Sequence, residues 1–231
     1  MRGIIMVKTN TGLVEYAIAQ LGLPYWYGTF GLTATADLYK AKREQYPQYY
    51  RSWSDFPTQY GKRVHDCVGL IKGYLWSDTA TSKPKYNVNQ DVSANGMLSK
   101  CKVSGTMGTM PDIPGILVFT PGHVGVYIGD GYVVEARGHE YGVVKTKLKN
   151  RPWRNWGKCP YISYITADGE ADIPLVVKSG TWNVRKSTNV GAPILCVVKG
   201  GTALRADRLS NGWYHIPALG GWISAKGVEK A

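Results

Sequence analysis

No stretch of this 231-residue chain approaches the roughly 18 to 20 uninterrupted apolar residues that a membrane-spanning helix needs, so membrane insertion is not expected. The four cysteines, Cys67, Cys101, Cys159 and Cys196, are widely and irregularly spaced and include no CxxC pair. That spacing argues against a structural zinc site and against a small disulfide framework. There is no zinc-finger spacing, aromatic RNA-binding signature or recognition-helix pattern, so nucleic acid is not the expected partner. The opening MRGIIMVKTNTGLVEY has neither a long apolar segment nor a small-residue cleavage site, and reads as a protein made in the cytoplasm without a secretory signal. Free thiols are then the default, and Cys101, Cys159 and Cys196 read as small buried apolar residues.

Acidic residues are also short: 16 Asp and Glu against 28 Lys and Arg, a formal net charge of +12. The basic residues are spread along the chain, a surface attracted to polyanions such as nucleic acid or a bacterial wall with its carboxylates and phosphates. The length suits one good-sized domain, or a moderate domain with a small one.

In TGLVEYAIAQLG, the spacing of Leu13, Val14, Ala17, Ile18 and Leu21 predicts a helix, with Asn10 and Thr11 as caps and Gly22 as its stop. Residues 31–63 are dense in Tyr, Lys, Arg and Gln and read as a surface excursion with a short helix near LTATADLYKAKREQ. From residue 113 the runs IPGILVF, HVGVYIG, YVVEARG and GVVKTKL predict strands separated by turns. Helices followed by an antiparallel sheet make an α+β domain. The acid-rich TADGEADIP reads as a linker, and the short alternating segments beyond it predict a small β-barrel. The expected division is 1–166, a linker at 167–173, and 174–231.

The run VGLIKGYLW after Asp66 and Cys67 predicts a helix whose first-turn N–H groups face the Cys67 sulfur, an arrangement that lowers a thiol pKa. Of four histidines, His65 stands near Cys67 in sequence but points elsewhere, and His215 lies in the small barrel. His139 follows ARG at a strand end. His123 opens a strand directly after a PG turn, where a side chain reaches a cleft beside a helix end. Its orienting partner depends on the next turn: a three-residue connection at 129–131 pairs Gly125 with Glu135 and sets Glu135 beside His123, whereas a two-residue turn puts Glu135 on the other face.

DCVGL, PGILVF and HVGVYIGDGYVVEA, with PYWYG upstream, resemble the NlpC/p60 family of cell-wall cysteine peptidases over most of residues 10–160. The resemblance implies a papain-like α+β fold, with Cys67 as nucleophile, His123 as base and Glu135 as the third residue, His139 being the alternative. It also implies that Tyr27 helps the Cys67 N–H hold the oxyanion and that Asp66 caps the helix. Three departures stand out: Glu in the third position, where His, Asn or Gln is usual; Val68, where Ser is common; and Ile116, where Asp often occurs. WNVRKS, NGWYHI and GGWISAKGV resemble bacterial SH3-like wall-binding domains, with Trp182, Trp213 and Trp222 in the barrel. Together these imply a monomeric peptidoglycan hydrolase needing no metal or cofactor. Its partners would be peptidoglycan and anionic wall polymers, its bond the one between D-glutamate and the diamino acid, and its type a phage endolysin. An amidase or acyltransferase on the same fold, or a non-catalytic wall-binding protein, remains open at this point.

Overall fold

Thr9 has extended backbone angles, and its hydroxyl accepts the Gly12 N–H at 3.1 Å, so the first helix, α1 (Asn10–Ala19), is capped one residue before the expected positions. It buries Leu13, Tyr16 and Ala17, while Ile18 and Leu21 stay exposed. The apolar stripe is therefore rotated toward Tyr16, whose ring tilts against Tyr74.

The computed structural model describes residues 8–51, 53–165 and 171–231. The chain divides into two units, Met1–Ile162 and Ser163–Ala231. No described helix is long and apolar enough to cross a membrane.

In the first unit, the segment expected to be a surface excursion has its own structure. β1 (Phe30–Thr33) pairs antiparallel with β2 (Arg63–His65), and between them lie α2 (Ala36–Gln45) and α3 (Pro47–Tyr50). Thr35 caps α2 by accepting the Leu38 N–H. Trp26, Tyr50 and Phe56 pack with Ala34 and Val64 into a small core, the Trp26 and Phe56 rings lying edge to face at 5.2 Å. Burying a ring of this size contributes about 1.5–3 kcal/mol. The sequence pattern missed this because β1 and β2 are too short to show alternation, and aromatic packing rather than strand periodicity organises the segment.

The central helix α4 (Cys67–Trp76) buries Leu70 and Ile71 and packs on the sheet. Gly69 and Gly73 lie one turn apart on one face. A Cβ at 69 would stand 1.8 Å from the Thr29 carbonyl oxygen, and one at 73 would stand 2.3 Å from the Tyr16 hydroxyl. Their lack of side chains lets the Thr29–Phe30 backbone and Tyr16 of α1 approach α4 closely. After α5 (Ala94–Lys100) come β3 (Ser104–Thr106), β4 (Leu117–Thr120), β5 (His123–Gly129), β6 (Tyr132–Ala136), β7 (Val143–Lys147) and β8 (Asn155–Gly157). They form an antiparallel sheet in the order β3-β8-β4-β5-β6-β7. The unit is thus mixed α and β with antiparallel sheets.

The β5–β6 connection combines the two turns considered from the sequence. Gly129 pairs with Tyr132 across a two-residue turn in which Asp130 (φ 53°) and Gly131 (φ 74°) are left-handed. A bulge between Tyr127 and Gly129 then shifts the register, so that Val126 pairs with Val134. One step further along, this register sets Gly125 opposite Glu135. The bulge restores the facing that a three-residue loop would have given.

The second unit is all β. β9 (Tyr164–Ile165) pairs with β10 (Ala171–Val177). β11 (Thr181–Arg185), β12 (Ile194–Lys199), β13 (Ala203–Ala206), β14 (Arg208–Ser210), β15 (Trp213–Ile216), β16 (Gly221–Ser224) and β17 (Val228–Lys230) follow. One sheet runs β13-β10-β17 with β9 on β10, and the other runs β12-β11-β16-β15-β14. Leu175, Val184, Ile216 and Ile223 lie in its core, and Trp182 packs against it. Of the expected linker, residues 167–170 lie outside the described residues and 171–173 open β10.

Candidate active site

Asp66 has extended angles and fixes the start of α4. Its Oδ1 accepts the Gly69 N–H at 2.6 Å and its Oδ2 the Gly28 N–H at 2.9 Å, while its own N–H donates to the Thr29 carbonyl at 2.9 Å. One carboxylate thereby caps the helix and ties the PYWYG segment to it. Burial raises its pKa, and the two backbone donors act against that rise.

Cys67 is the first residue of α4, and its thiol faces β5: Sγ makes a long 3.9 Å contact to the Gly122 carbonyl, just before His123. The N–H groups of Val68, Val124 and Cys67 itself favour the thiolate, as the helix start was expected to provide. Burial outweighs them, the Asp66 charge adds to it, and the thiol is pushed up to about 12. The expected lowering is thus corrected: the amides are in place, but desolvation is the larger effect. A thiol of this kind reacts by losing its proton to a base as it attacks.

The nearest histidine in the chain to that contact is on β5. His123 Nε2 lies 2.6 Å from Glu135 Oε2. Because a carboxylate only accepts, Nε2 carries the ring proton and Nδ1 holds the lone pair. The imidazole stacks on Trp153, with 5.6 Å between centroids and 10° between planes. Gly125 makes room for that tryptophan, since a Cβ there would stand 3.1 Å from its ring and 2.5 Å from Val133.

Glu135 is fully buried. Its Oε1 accepts from the Thr146 hydroxyl at 2.7 Å and from Arg151 Nε at 2.8 Å, and Arg151 Nη2 reaches Oε2 at 3.1 Å. Burial alone would raise its pKa, but the hydrogen bonds from His123, Arg151 and Thr146 prevail and hold it at about 2. The carboxylate is therefore charged at neutral pH, and the proton stays on the histidine.

His139, the alternative third residue, is engaged elsewhere. Its Nε2 lies 2.6 Å from Asp55 Oδ1, and its ring stacks on Trp53. His65 is fully buried, bonds the Tyr16 hydroxyl at 3.1 Å, and is held neutral by burial and by Arg63, with a pKa of about 3. His215 pairs through Nδ1 with Asp207 at 2.8 Å in the second unit. Cys159 is buried, whereas Cys101 and Cys196 are only partly so.

Tyr27 lines a cavity of about 530 Å³ together with Cys67, Asp66 and Gly122. Its ring is stacked at 3.7 Å on Tyr49. The phenol that lies close enough to Cys67 to feel its charge is Tyr25, two residues earlier; burial and then the Cys67 charge keep this phenol protonated. Sequence reasoning did not single out Tyr25, Trp153, Thr146 or Arg151. Tyr25 shares the PYWYG motif with Tyr27, and only the backbone path decides between them. Thr146 follows from the β6–β7 register, in which Glu135 faces Val144 and Thr146 is its diagonal neighbour. Arg151 arrives through a turn after β7 that no periodicity announces. Among the described residues, no group of three or more His, Cys, Asp or Glu side chains is placed to hold a metal ion.

No family model matches the chain, and no curated protein matches it. Among solved structures it is similar to NlpC1 from Trichomonas vaginalis, at 16% identity and TM-score 0.40, over 66% of this chain and 44% of that one. NlpC2 from the same organism is 14% identical with TM-score 0.40, over 70% of this chain and 49% of that one. The peptidoglycan hydrolase RipB from Mycobacterium tuberculosis is 18% identical with TM-score 0.38, over 67% of each chain. The chain spans less than half the length of the two Trichomonas proteins.

Proposed function

We propose that this chain is a cysteine peptidase that hydrolyses an amide bond in the stem peptide of bacterial peptidoglycan. The observation that carries the reading is a linked set of groups. A helix-start thiol lies against the two neighbours of His123, and the imidazole is fixed by a buried carboxylate that Arg151 and Thr146 hold charged. In this reading His123 Nδ1 removes the Cys67 proton as sulfur attacks the carbonyl carbon. The oxyanion is stabilised by the Cys67 N–H and, in place of Tyr27, by the Tyr25 hydroxyl. The imidazolium, stabilised by Glu135, then protonates the amine as the C–N bond breaks. Water, deprotonated by the same nitrogen, releases the acyl group from the thioester as a carboxylic acid and restores the thiol.

The substrate assignment rests on the motif resemblance and favours the bond between the D-glutamate side-chain carboxyl and the diamino acid. The resemblance of residues 174–231 to SH3-like domains supports wall binding by the second unit, and the charge of +12 suits an anionic wall. A lytic enzyme of the endolysin type fits that combination. The test is product analysis by mass spectrometry on purified walls, with Cys67→Ala alongside. New amino groups on the diamino acid, absent with Cys67→Ala, support the reading. Free lactyl groups with L-alanine N-termini indicate an amidase, and equal products from both proteins overturn thiol catalysis.

A further inference from the structure

The cavity of about 530 Å³ beside Cys67 is walled in part by α2, the helix between β1 and β2, through Lys42, Gln45 and Tyr46. That helix is seated on the backbone that leads to Cys67. A Cβ at Gly28 would stand 2.5 Å from the Tyr46 ring, and the Gly28 N–H is bonded to Asp66, the residue before Cys67. The Tyr27 ring meets Tyr46 edge to face at 5.0 Å. Lys42 stands one turn before Tyr46, with its ammonium 5.4 Å from the centroid of that ring.

The charged side chains lining this cavity are Lys42, Lys72, Asp66 and Asp91, and all but Lys42 are balanced where they stand. Buried Lys72 pairs with Asp91, whose other oxygen accepts the Tyr86 hydroxyl at 2.9 Å. Both oxygens of Asp66 hold backbone N–H groups at the start of α4. Lys42 Nζ donates to the neutral Gln45 Oε1 at 3.0 Å, and among the described residues no carboxylate lies within ion-pair distance of it. Partial burial strips water from the ammonium and lowers its pKa, with Asp66 and Asp91 opposing that from further away. A half-desolvated ammonium with donors to spare gains more from a carboxylate than an exposed lysine does. Asn95 adds a neutral donor to the same cavity: its Oδ1 accepts the Gly122 N–H at 2.8 Å, which leaves its Nδ2 hydrogens without an acceptor among the described residues.

The position decides which half of a substrate enters. In the proposed mechanism the leaving amine takes its proton from His123, so the amine half lies toward that residue. His123 does not line this cavity, whereas Val68, Gly69 and Lys72, along the flank of α4, do. The cavity therefore takes the acyl half.

We infer that Lys42 determines specificity by pairing with a free carboxylate on the acyl residue of the scissile amide, so that a γ-glutamyl residue with a free α-carboxylate is preferred over one whose α-carboxyl is a carboxamide. The inference deepens the peptidase reading and rests on it. The test uses the whole chain and matched peptides, alanyl-γ-glutamyl and its α-carboxamide counterpart, each joined to lysine or to 2,6-diaminopimelate. Within each pair the free-carboxylate peptide is expected to have kcat/KM about tenfold or more above the carboxamide, mostly through KM. That ratio is expected to fall toward one in Lys42→Met and to be regained in Lys42→Arg. A fault that is merely structural would slow both peptides of a pair together and leave their ratio in place. Equal rates, preference for the carboxamide, a ratio unmoved in Lys42→Met, or one no higher in Lys42→Arg than in Lys42→Met overturns the assignment. If none of the peptides is cleaved, the peptidase reading fails and Lys42 is tested by calorimetric titration of the Cys67→Ala protein with the same pairs. Tighter binding of the free carboxylate that Lys42→Met removes supports the carboxylate site, and equal or no binding overturns it.

Discussion

Nε2 of His123 stands 2.6 Å from Oε2 of Glu135, and the same carboxylate is held from its other side by Arg151 and Thr146. The geometry has a thermodynamic consequence. The Glu135 pKa falls to about 2 from an ordinary 4.5. A depressed carboxylate contributes stability that is fully present above the unfolded-state pKa and is lost as pH falls through the folded value. A shift of this size corresponds to about 3 kcal/mol. Glu135→Gln should therefore be less stable than the parent by about that amount at pH 7, and the gap should close as pH falls from about 5 toward 2. Urea unfolding at pH 7 and near pH 2.5 measures both, and a gap that does not depend on pH would contradict the linkage.

The same substitution should also slow the reaction. A glutamine at 135 keeps a polar contact but removes the charge that stabilises the imidazolium and fixes its tautomer, so kcat should fall by on the order of 10²–10⁴. His139→Ala, whose partner is Asp55, should lower kcat less than tenfold. Steady-state kinetics on the two variants ranks them, and the reverse ranking would return the third position to His139.

What the sequence made legible follows the range of each interaction. Cys67, Asp66 and His123 sit in local motifs, a capped helix start and a strand start, and their places in the fold can be read from a few neighbours. The partner of His123 needed the register of β5 on β6, and that depended on a bulge at Ile128 which two adjacent glycines and an aspartate permit but do not announce. Thr146 reaches the site through the β6–β7 register, and Arg151 and Trp153 through the connection between β7 and β8. Within residues 31–63 the short helix was legible and became α2, but the aromatic core was not, because Trp26, Tyr50 and Phe56 are drawn together by burial, which leaves no periodicity in so short a segment.

Cys67 provides a direct test of its own state. With the thiol pushed up to about 12 by burial and Asp66, the thiolate fraction in the free enzyme should rise about tenfold per pH unit through the neutral range. Alkylation by iodoacetamide, followed by mass spectrometry at Cys67, should accelerate steadily from pH 6 to 9 without levelling off. A plateau below pH 8 would instead identify a preformed thiolate–imidazolium pair. Asp66→Asn should speed alkylation at fixed pH, by removing a buried negative charge beside the sulfur.

Gly69 is where helix and loop approach most closely. A Cβ at this position would stand 1.8 Å from the Thr29 carbonyl oxygen, backbone that can yield only by moving the PYWYG segment. Gly69→Ala should destabilise the protein by about 1–3 kcal/mol or more, despite the better helix propensity of alanine. Thermal unfolding would reveal it, and an unchanged or raised Tm would show that the segment moves at no cost.

The choice between Tyr25 and Tyr27 is settled by two conservative substitutions. Tyr25 is near enough to Cys67 to feel its charge, and burial holds its phenol protonated, so its hydroxyl is available as a donor across the whole working pH range. Tyr27 has its ring stacked on Tyr49 and its backbone carbonyl bonded by the Tyr50 hydroxyl at 2.7 Å, contacts that place it as a wall of the cavity. Tyr25→Phe should then lower kcat by about 10²–10³, the effect of losing one oxyanion donor, with little change in KM. Tyr27→Phe keeps the stack and should cost less than tenfold. Single-turnover acylation with an ester substrate separates this step from thioester hydrolysis, and a larger loss in Tyr27→Phe than in Tyr25→Phe would transfer the oxyanion role back to Tyr27.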